Sequence, residues 1–122
     1  MKGRRFRSER GSSAVEFAVL LPVLILIIGG IVDFGFAFNA QITATHAARE
    51  GVRAAALSSG NPVTVATTAF NAPATSAPTF PTVTACPNAA GRARVRLQST
   101  YTFVILPGSR TVTGDAVMRC NG

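Results

Sequence analysis

A carboxylate stands at the head of an apolar run. Glu16 is followed without interruption by the apolar segment Phe17 to Val32, and it lies five residues after Gly11. A charge at the centre of a bilayer costs roughly 2.5–3.5 kcal/mol on insertion scales, and less near an interface. Such a residue is functional by default and its partner should be sought. A second acid, Asp33, lies 17 residues further on. At 1.5 Å per residue that is about 25 Å of helix, so the two acids mark the two ends of a hydrocarbon slab. Asp33 either meets water at that end or pairs in an assembly.

The other groups with chemical capacity are few. Cys86 and Cys120 are the only cysteines and both follow the apolar run. If that run crosses a membrane, both lie outside the cytoplasm, where disulfides persist. Closing a loop of about 35 residues contributes roughly 4 kcal/mol in the chain-entropy model. With one histidine, His46, and no CxxC spacing, a metal site is not expected. His46 reads as a solvated position on a helix. Arg94 and Arg96 form a basic stripe on one strand face. It is either a solvated sheet face or a contact for an acidic surface, lipid headgroups or DNA, and no interleaved aromatic residues favour nucleic acid. Neither a phosphate loop, a Ser/His/Asp set nor paired carboxylates occurs. A non-enzyme without cofactor or metal is expected.

The elements that must position these groups begin with a membrane-length helix. Phe17–Val32, extended by Ala14, Val15 and Phe34–Phe38, passes 20 residues, enough to cross a bilayer. Before it, residues 1–11 hold Lys2, Arg4, Arg5, Arg7 and Arg10 against Glu9 alone, a cytoplasmic flank by the positive-inside rule. A cleaved secretory signal fits less well, because its best cut site, Phe38-Asn-Ala40, puts a bulky Phe where a small residue is needed. Pro22 removes one backbone hydrogen bond inside the span and predicts a kink, which membranes tolerate.

Beyond the span, residues 39–57 are Ala-rich and free of proline. Ala40, Ala44, Ala47, Gly51 and Ala54 or Ala55 share one face, a stripe that permits close backbone approach. Arg49, Glu50 and Arg53 form the opposite, charged side. Ser58-Ser-Gly-Asn-Pro62 ends the helix, with Gly60 as C-terminal cap, Asn61 as N-cap and Pro62 opening a short helix over residues 63–70. Residues 71–81 contain three prolines and read as a loop.

The period then becomes two. Ala93, Val95, Leu97, Ser99, Tyr101 and Phe103 alternate with Arg94, Arg96, Gln98, Thr100 and Thr102, a half-buried strand. Pro107-Gly-Ser is a turn. Residues 111–120 form a second strand, with a possible bulge at Gly114–Asp115, and 82–86 a weaker third. The fold class is α+β: a long N-terminal transmembrane helix extending out of the membrane, with a small antiparallel β-sheet head packed on its outer part. In a chain of 122 residues such a head is small, and a disulfide staple suits it. The formal charge is +7, but more than half of the excess sits in residues 1–11, which argues for a topogenic leader and against nucleic-acid binding.

The motifs Ala14-Val-Glu-Phe-Ala18, Leu20-Leu-Pro22, Gly30-Ile-Val-Asp-Phe-Gly35 and Ala47-Ala-Arg-Glu-Gly-Val-Arg53, behind the basic leader and Gly11, resemble the TadE-like pseudopilins of tight-adherence (Flp-type) type IV pilus systems. The resemblance covers Arg10 to about Ala56. The C-terminal half is similar only through Tyr101–Phe103 and Ala116–Cys120. The resemblance implies a structural minor pilin or pseudopilin in adhesion and biofilm machinery. It implies a processing site of Gly11, Ser12, Glu16 and Phe17, cut after Gly11 by a prepilin peptidase. Read from the residues themselves, Glu16 is expected to act in assembly, and Asp33 either to meet water or to pair there. The leader 1–11 would be removed, leaving a helix over 12–57 and an extracytoplasmic head over 58–122. Implied partners are the prepilin peptidase, other pilins and pseudopilins, and an inner-membrane assembly platform. The chain would cross the cytoplasmic membrane once, N-terminus inside. The alternative is an uncleaved bitopic protein that anchors a periplasmic binding or scaffold domain.

Overall fold

The computed structural model of the protein describes residues 8–87 and 90–120. Lys2, Arg4, Arg5 and Arg7 of the basic leader lie outside the described residues. The apolar run and the Ala-rich segment form one helix, α1 (Ser8–Leu57, 50 residues). At 1.5 Å per residue it is about 75 Å long. It runs through Pro22 as a continuous element. Its C-terminal turn closes differently from the expectation. Ser58, with φ 51°, takes the left-handed position that the sequence reading gave to Gly60. The Ser59 N–H then donates to the Ala54 carbonyl at 3.1 Å, the long-range bond of a Schellman motif.

Helix α2 (Pro62–Ala69) begins where expected. The Asn61 side chain accepts from the N–H groups of Val63 at 2.9 Å and Thr64 at 3.4 Å, satisfying donors that the first turn leaves free. Three strands follow: β1 (Thr79–Thr84), β2 (Arg92–Thr102) and β3 (Ser109–Arg119). They form one antiparallel sheet in the order β1-β2-β3. Strand β1 starts three residues earlier than the expected 82–86. Its register slips between Thr79 and Thr82, where Pro81 interrupts an edge strand that needs no outward donor there. The β2–β3 register is continuous from Arg92↔Arg119 to Thr102↔Ser109. The expected bulge at Gly114–Asp115 is therefore absent.

The alternation read in β2 is the core of the head. Ala93, Val95, Leu97, Ser99 and Tyr101 are buried. They face the small-residue stripe of α1, where Ala40, Ala44 and Ala47 are fully buried. Ala66 and Phe70 complete one cluster with Leu97, Tyr101 and Val112. Val52, Ala55 and Ala56 form a second with Ala93 and Val95. Gly51 matters here: a Cβ would lie 2.9 Å from that of Ala66 and 3.0 Å from the Pro62 carbonyl, so α2 approaches α1 over bare backbone. Cys86 and Cys120 are joined by a disulfide, their Cα atoms 5.7 Å apart. It ties the end of β3 to the segment after β1. The α+β architecture, with a long apolar helix and a three-stranded antiparallel sheet on its outer part, is the one expected.

Candidate functional site

The chain has two regions of interest along α1: the N-terminal stretch around Gly11 and Glu16, and the junction with the head around Asp33. Gly11, Ser12, Glu16 and Phe17 are all exposed. A Cβ built on Gly11 meets nothing within 4 Å among the described residues, so none of them requires a glycine there. The Gly11–Ser12 bond lies within α1. Among the described residues, none pairs with the Glu16 carboxylate. Of the most apolar 18-residue window of α1, only 6% is buried inside the fold. A core helix of a water-soluble protein would be mostly covered. Here Val15, Val19, Leu24 and Ile28 are each about half exposed or more, and this apolar surface needs cover from outside the chain. A membrane anchor meets that need.

Asp33 does not meet water. It is fully buried, covered by the β2–β3 connection. Its Oδ1 accepts the Val104 N–H at 2.9 Å, and its Oδ2 accepts those of Ile105 at 3.0 Å and Leu106 at 2.7 Å. Three consecutive backbone donors thus converge on one carboxylate, satisfying a charge that burial alone would penalise. Below this point Ile105 lies against Gly29, where a Cβ would come within 2.6 Å of its Cγ2. Any pairing of Asp33 with another subunit would compete with these three bonds.

Two turns further along the same face, Gln41 holds β3. Its Nε2 donates to the Thr113 carbonyl at 2.7 Å and its Oε1 accepts the Thr113 N–H at 3.2 Å. The amide thereby occupies backbone groups on an edge strand that would otherwise be open to pairing. Between these contacts and the Ala-rich stripe sits Gly114, where a Cβ would run into the Ala44 carbonyl. The glycine that the sequence offered as a bulge is instead the place where sheet and helix backbones touch.

Arg94 and Arg96 are committed to one acid. Arg94 donates from Nε at 3.0 Å and from Nη2 at 2.5 Å to the Asp115 carboxylate; Arg96 donates from Nε at 3.1 Å and Nη2 at 2.7 Å. Arg96 faces Asp115 directly across the sheet and Arg94 lies diagonal to it, the two placements that cross-strand pairs use. Hydrogen bonds from Arg94 and Arg96 hold the Asp115 carboxyl well below the usual carboxylate range. The stripe remains about two-fifths exposed. His46 is exposed on α1.

Tyr101 is the buried polar oddity. Its ring is fully buried and meets Phe103 edge-on at 5.5 Å between centroids. Its hydroxyl has no hydrogen-bond partner among the described residues, and burial, with the nearby Asp33 charge, pushes the phenol up. Sequence reasoning missed the loop that closes on Asp33, the Gln41 clamp and the Asp115 acceptor. For Asp115 there was a signal: an acid at a position opposite a basic stripe once the hairpin register is drawn from the Pro107-Gly turn. For Asp33 and Gln41 there was none, because their partners are backbone groups.

The family model described as TadE-like protein matches residues 11–53, about a third of the chain. No curated protein and no solved structure matches it. The matched segment carries Gly11, Glu16, Asp33, Gln41 and the stripe on which the head packs. Over that segment the N-terminal helix is similar to TadE-like proteins.

Proposed function

We propose that the chain is a structural minor pilin or pseudopilin of a tight-adherence type IV pilus, cut after Gly11 by a prepilin peptidase and assembled through its N-terminal helix. The observation that carries this reading is the bare apolar surface of α1 within the family-matched segment, of which the head covers almost none. That surface suits lipid before assembly and other pilin helices after it. The chain would cross the inner membrane once, with its basic leader in the cytoplasm and its head outside, where the Cys86–Cys120 disulfide persists. Its role is structural, with the peptidase, other pilins and an inner-membrane platform as partners.

Gly11 supports the cut from a second side. A Cβ there would meet no described atom within 4 Å, so no described contact competes with a peptidase subsite for this position. Removal of residues 1–11 then leaves the Ser12 amine near Glu16. One observation favours the uncleaved anchor instead: the Gly11–Ser12 bond lies within helix α1, and a peptidase must unwind it. The mass of the mature N-terminus separates the two. Cleavage gives a chain starting at Ser12, and Gly11→Leu accumulates the longer form. A wild-type mature chain that keeps Lys2–Arg10 rejects the pilin reading.

A further inference from the structure

We propose that the β2–β3 hairpin tip, Val104-Ile105-Leu106, is immersed in the bilayer leaflet on the head side, so that the head stands on the membrane with this tip among the acyl chains. The inference rests on the membrane-anchor reading of α1 and adds a second, non-helical contact with lipid.

Depth is the first argument. Ile105 lies against Gly29 and Leu106 beside Gly30, both inside the apolar run Phe17–Val32. A hydrocarbon core of about 30 Å takes roughly 20 helical residues. Counted from Glu16, it ends near Phe36, about 10 Å beyond Gly29. The tip therefore hangs beside the span instead of starting above it. Outside the face that meets the tip, the helix on these turns is apolar and bare, with Ile31 68% and Phe34 51% exposed.

The tip itself is apolar where it is uncovered. Val104 is 68% and Ile105 48% exposed, and residues 97–109 carry no charged side chain. The first charge beyond them, Arg110, lines a cleft of about 110 Å³ with Phe34, Phe38 and Gln41. An arginine there can keep its stem on the apolar surface and its guanidinium at the headgroups.

Backbone accounting is the strongest argument. Irregular backbone survives at membrane depth only when its polar groups are satisfied by protein. The N–H groups of Val104, Ile105 and Leu106 all go to Asp33. That of Phe103 goes to the Gly108 carbonyl at 3.1 Å, and Pro107 has none. Every backbone donor from 103 to 107 is thus satisfied inside the chain, so the tip can enter lipid without leaving an N–H group unpaired.

The chain contains no tryptophan, so a single introduced indole reports its own surroundings. The full chain would be placed, one copy per disc, in phosphatidylethanolamine/phosphatidylglycerol nanodiscs whose belt is free of tryptophan, with and without phosphatidylcholine brominated along its acyl chains. Val104→Trp reports the tip, Leu24→Trp the span, and Val117→Trp, at the other end of the hairpin, the head. The expected result is blue-shifted emission and loss of intensity to bromolipid for Val104→Trp and Leu24→Trp, with Val117→Trp quenched by aqueous acrylamide only. Quenching of Leu24→Trp but not Val104→Trp by bromolipid overturns the tip inference and leaves the anchor standing. Failure at Leu24→Trp overturns the anchor, and the inference with it. A Val104 reporter shielded from both quenchers means that protein covers the tip, which also overturns it. The unsubstituted chain gives an independent reading: a photoactivatable acyl-chain probe should label the tryptic peptide of residues 97–110, and absence of that label rejects the proposal.

Discussion

The Asp33 carboxylate accepts the Leu106 N–H at 2.7 Å across 73 residues of chain. With the neighbouring bonds from Val104 and Ile105, it fixes the hairpin tip to one turn of α1. Head and helix are then oriented by a charge, not only by apolar packing. Under the proposed pilin role, neighbouring subunits packing on α1 would meet a head whose orientation is set.

Asp33→Asn tests that lock. The amide keeps one acceptor oxygen of similar size but loses the charge and the second acceptor, so donors in the tip go unpaired. Amide exchange at Val104–Leu106 should accelerate by roughly tenfold or more, the scale of one charge-assisted bond. Exchange in α2, which is remote from the tip, should stay the same. Unchanged protection at the tip would show that apolar contact with Gly29 and Gly30 suffices.

Gly114→Ala probes the helix–sheet contact. The added methyl must displace either the Ala44 carbonyl or β3. Overpacking of this kind costs about 1–3 kcal/mol. Thermal unfolding in detergent should show a clear loss, whereas Gly35→Ala, where a Cβ meets nothing within 4 Å, should be neutral or slightly stabilising. Equal behaviour of the two variants would contradict the close approach.

The acid behaviour of the head follows from Asp115. Its carboxyl is held below the usual range when folded, first by hydrogen bonds from Arg94 and then from Arg96, and returns to about 3.9 when unfolded. The clamp therefore stabilises fully above about pH 4 and fades as pH falls toward the folded-state value. Asp115→Asn should melt below wild type at pH 7, and the gap should close on acidification. Every other carboxyl is common to both proteins, so the difference isolates this one. A gap that stays constant down to pH 2 would mean that the clamp adds nothing electrostatic.

What the sequence made legible was whatever repeats with a period. The stripe Ala40–Ala44–Ala47–Gly51 and the alternation Ala93–Tyr101 predicted buried faces that are buried, because burial at 3.6 or 2 residues leaves a trace in composition. Asn61 and Pro62 announced their helix start for the same local reason. The contacts that orient the head left no such trace. Asp33, Gln41 and Gly114 each meet backbone atoms some 70 residues away, and a backbone partner has no residue type to match. Asp33 at the end of an apolar run looked like the point where helix meets water, since nothing local says that a turn will fold over it. Gly114 looked like a bulge, since a glycine in a strand fits either a bend or a close approach.

The last prediction concerns Glu16. Its carboxylate is exposed at the head of the apolar run, an arrangement that costs free energy in lipid unless a cation is found. Cleavage after Gly11 would create one, the Ser12 amine. Within its own chain that amine sits only four residues away on a terminal turn, so the amine of a neighbouring subunit is at least as good a partner. Paired in a helix bundle, the two charges would register one helix against the next, even where desolvation offsets much of their attraction. Glu16→Gln keeps size and hydrogen bonding but removes the charge. The variant should insert as well as wild type and still be cut after Gly11, which a mature mass starting at Ser12 would verify. It should fail to co-purify with the other pilins, and surface piliation should fall to the level of a deletion. If Glu16→Gln piliates like wild type, charge pairing is wrong, and Glu16 is a recognition or helix-start residue instead.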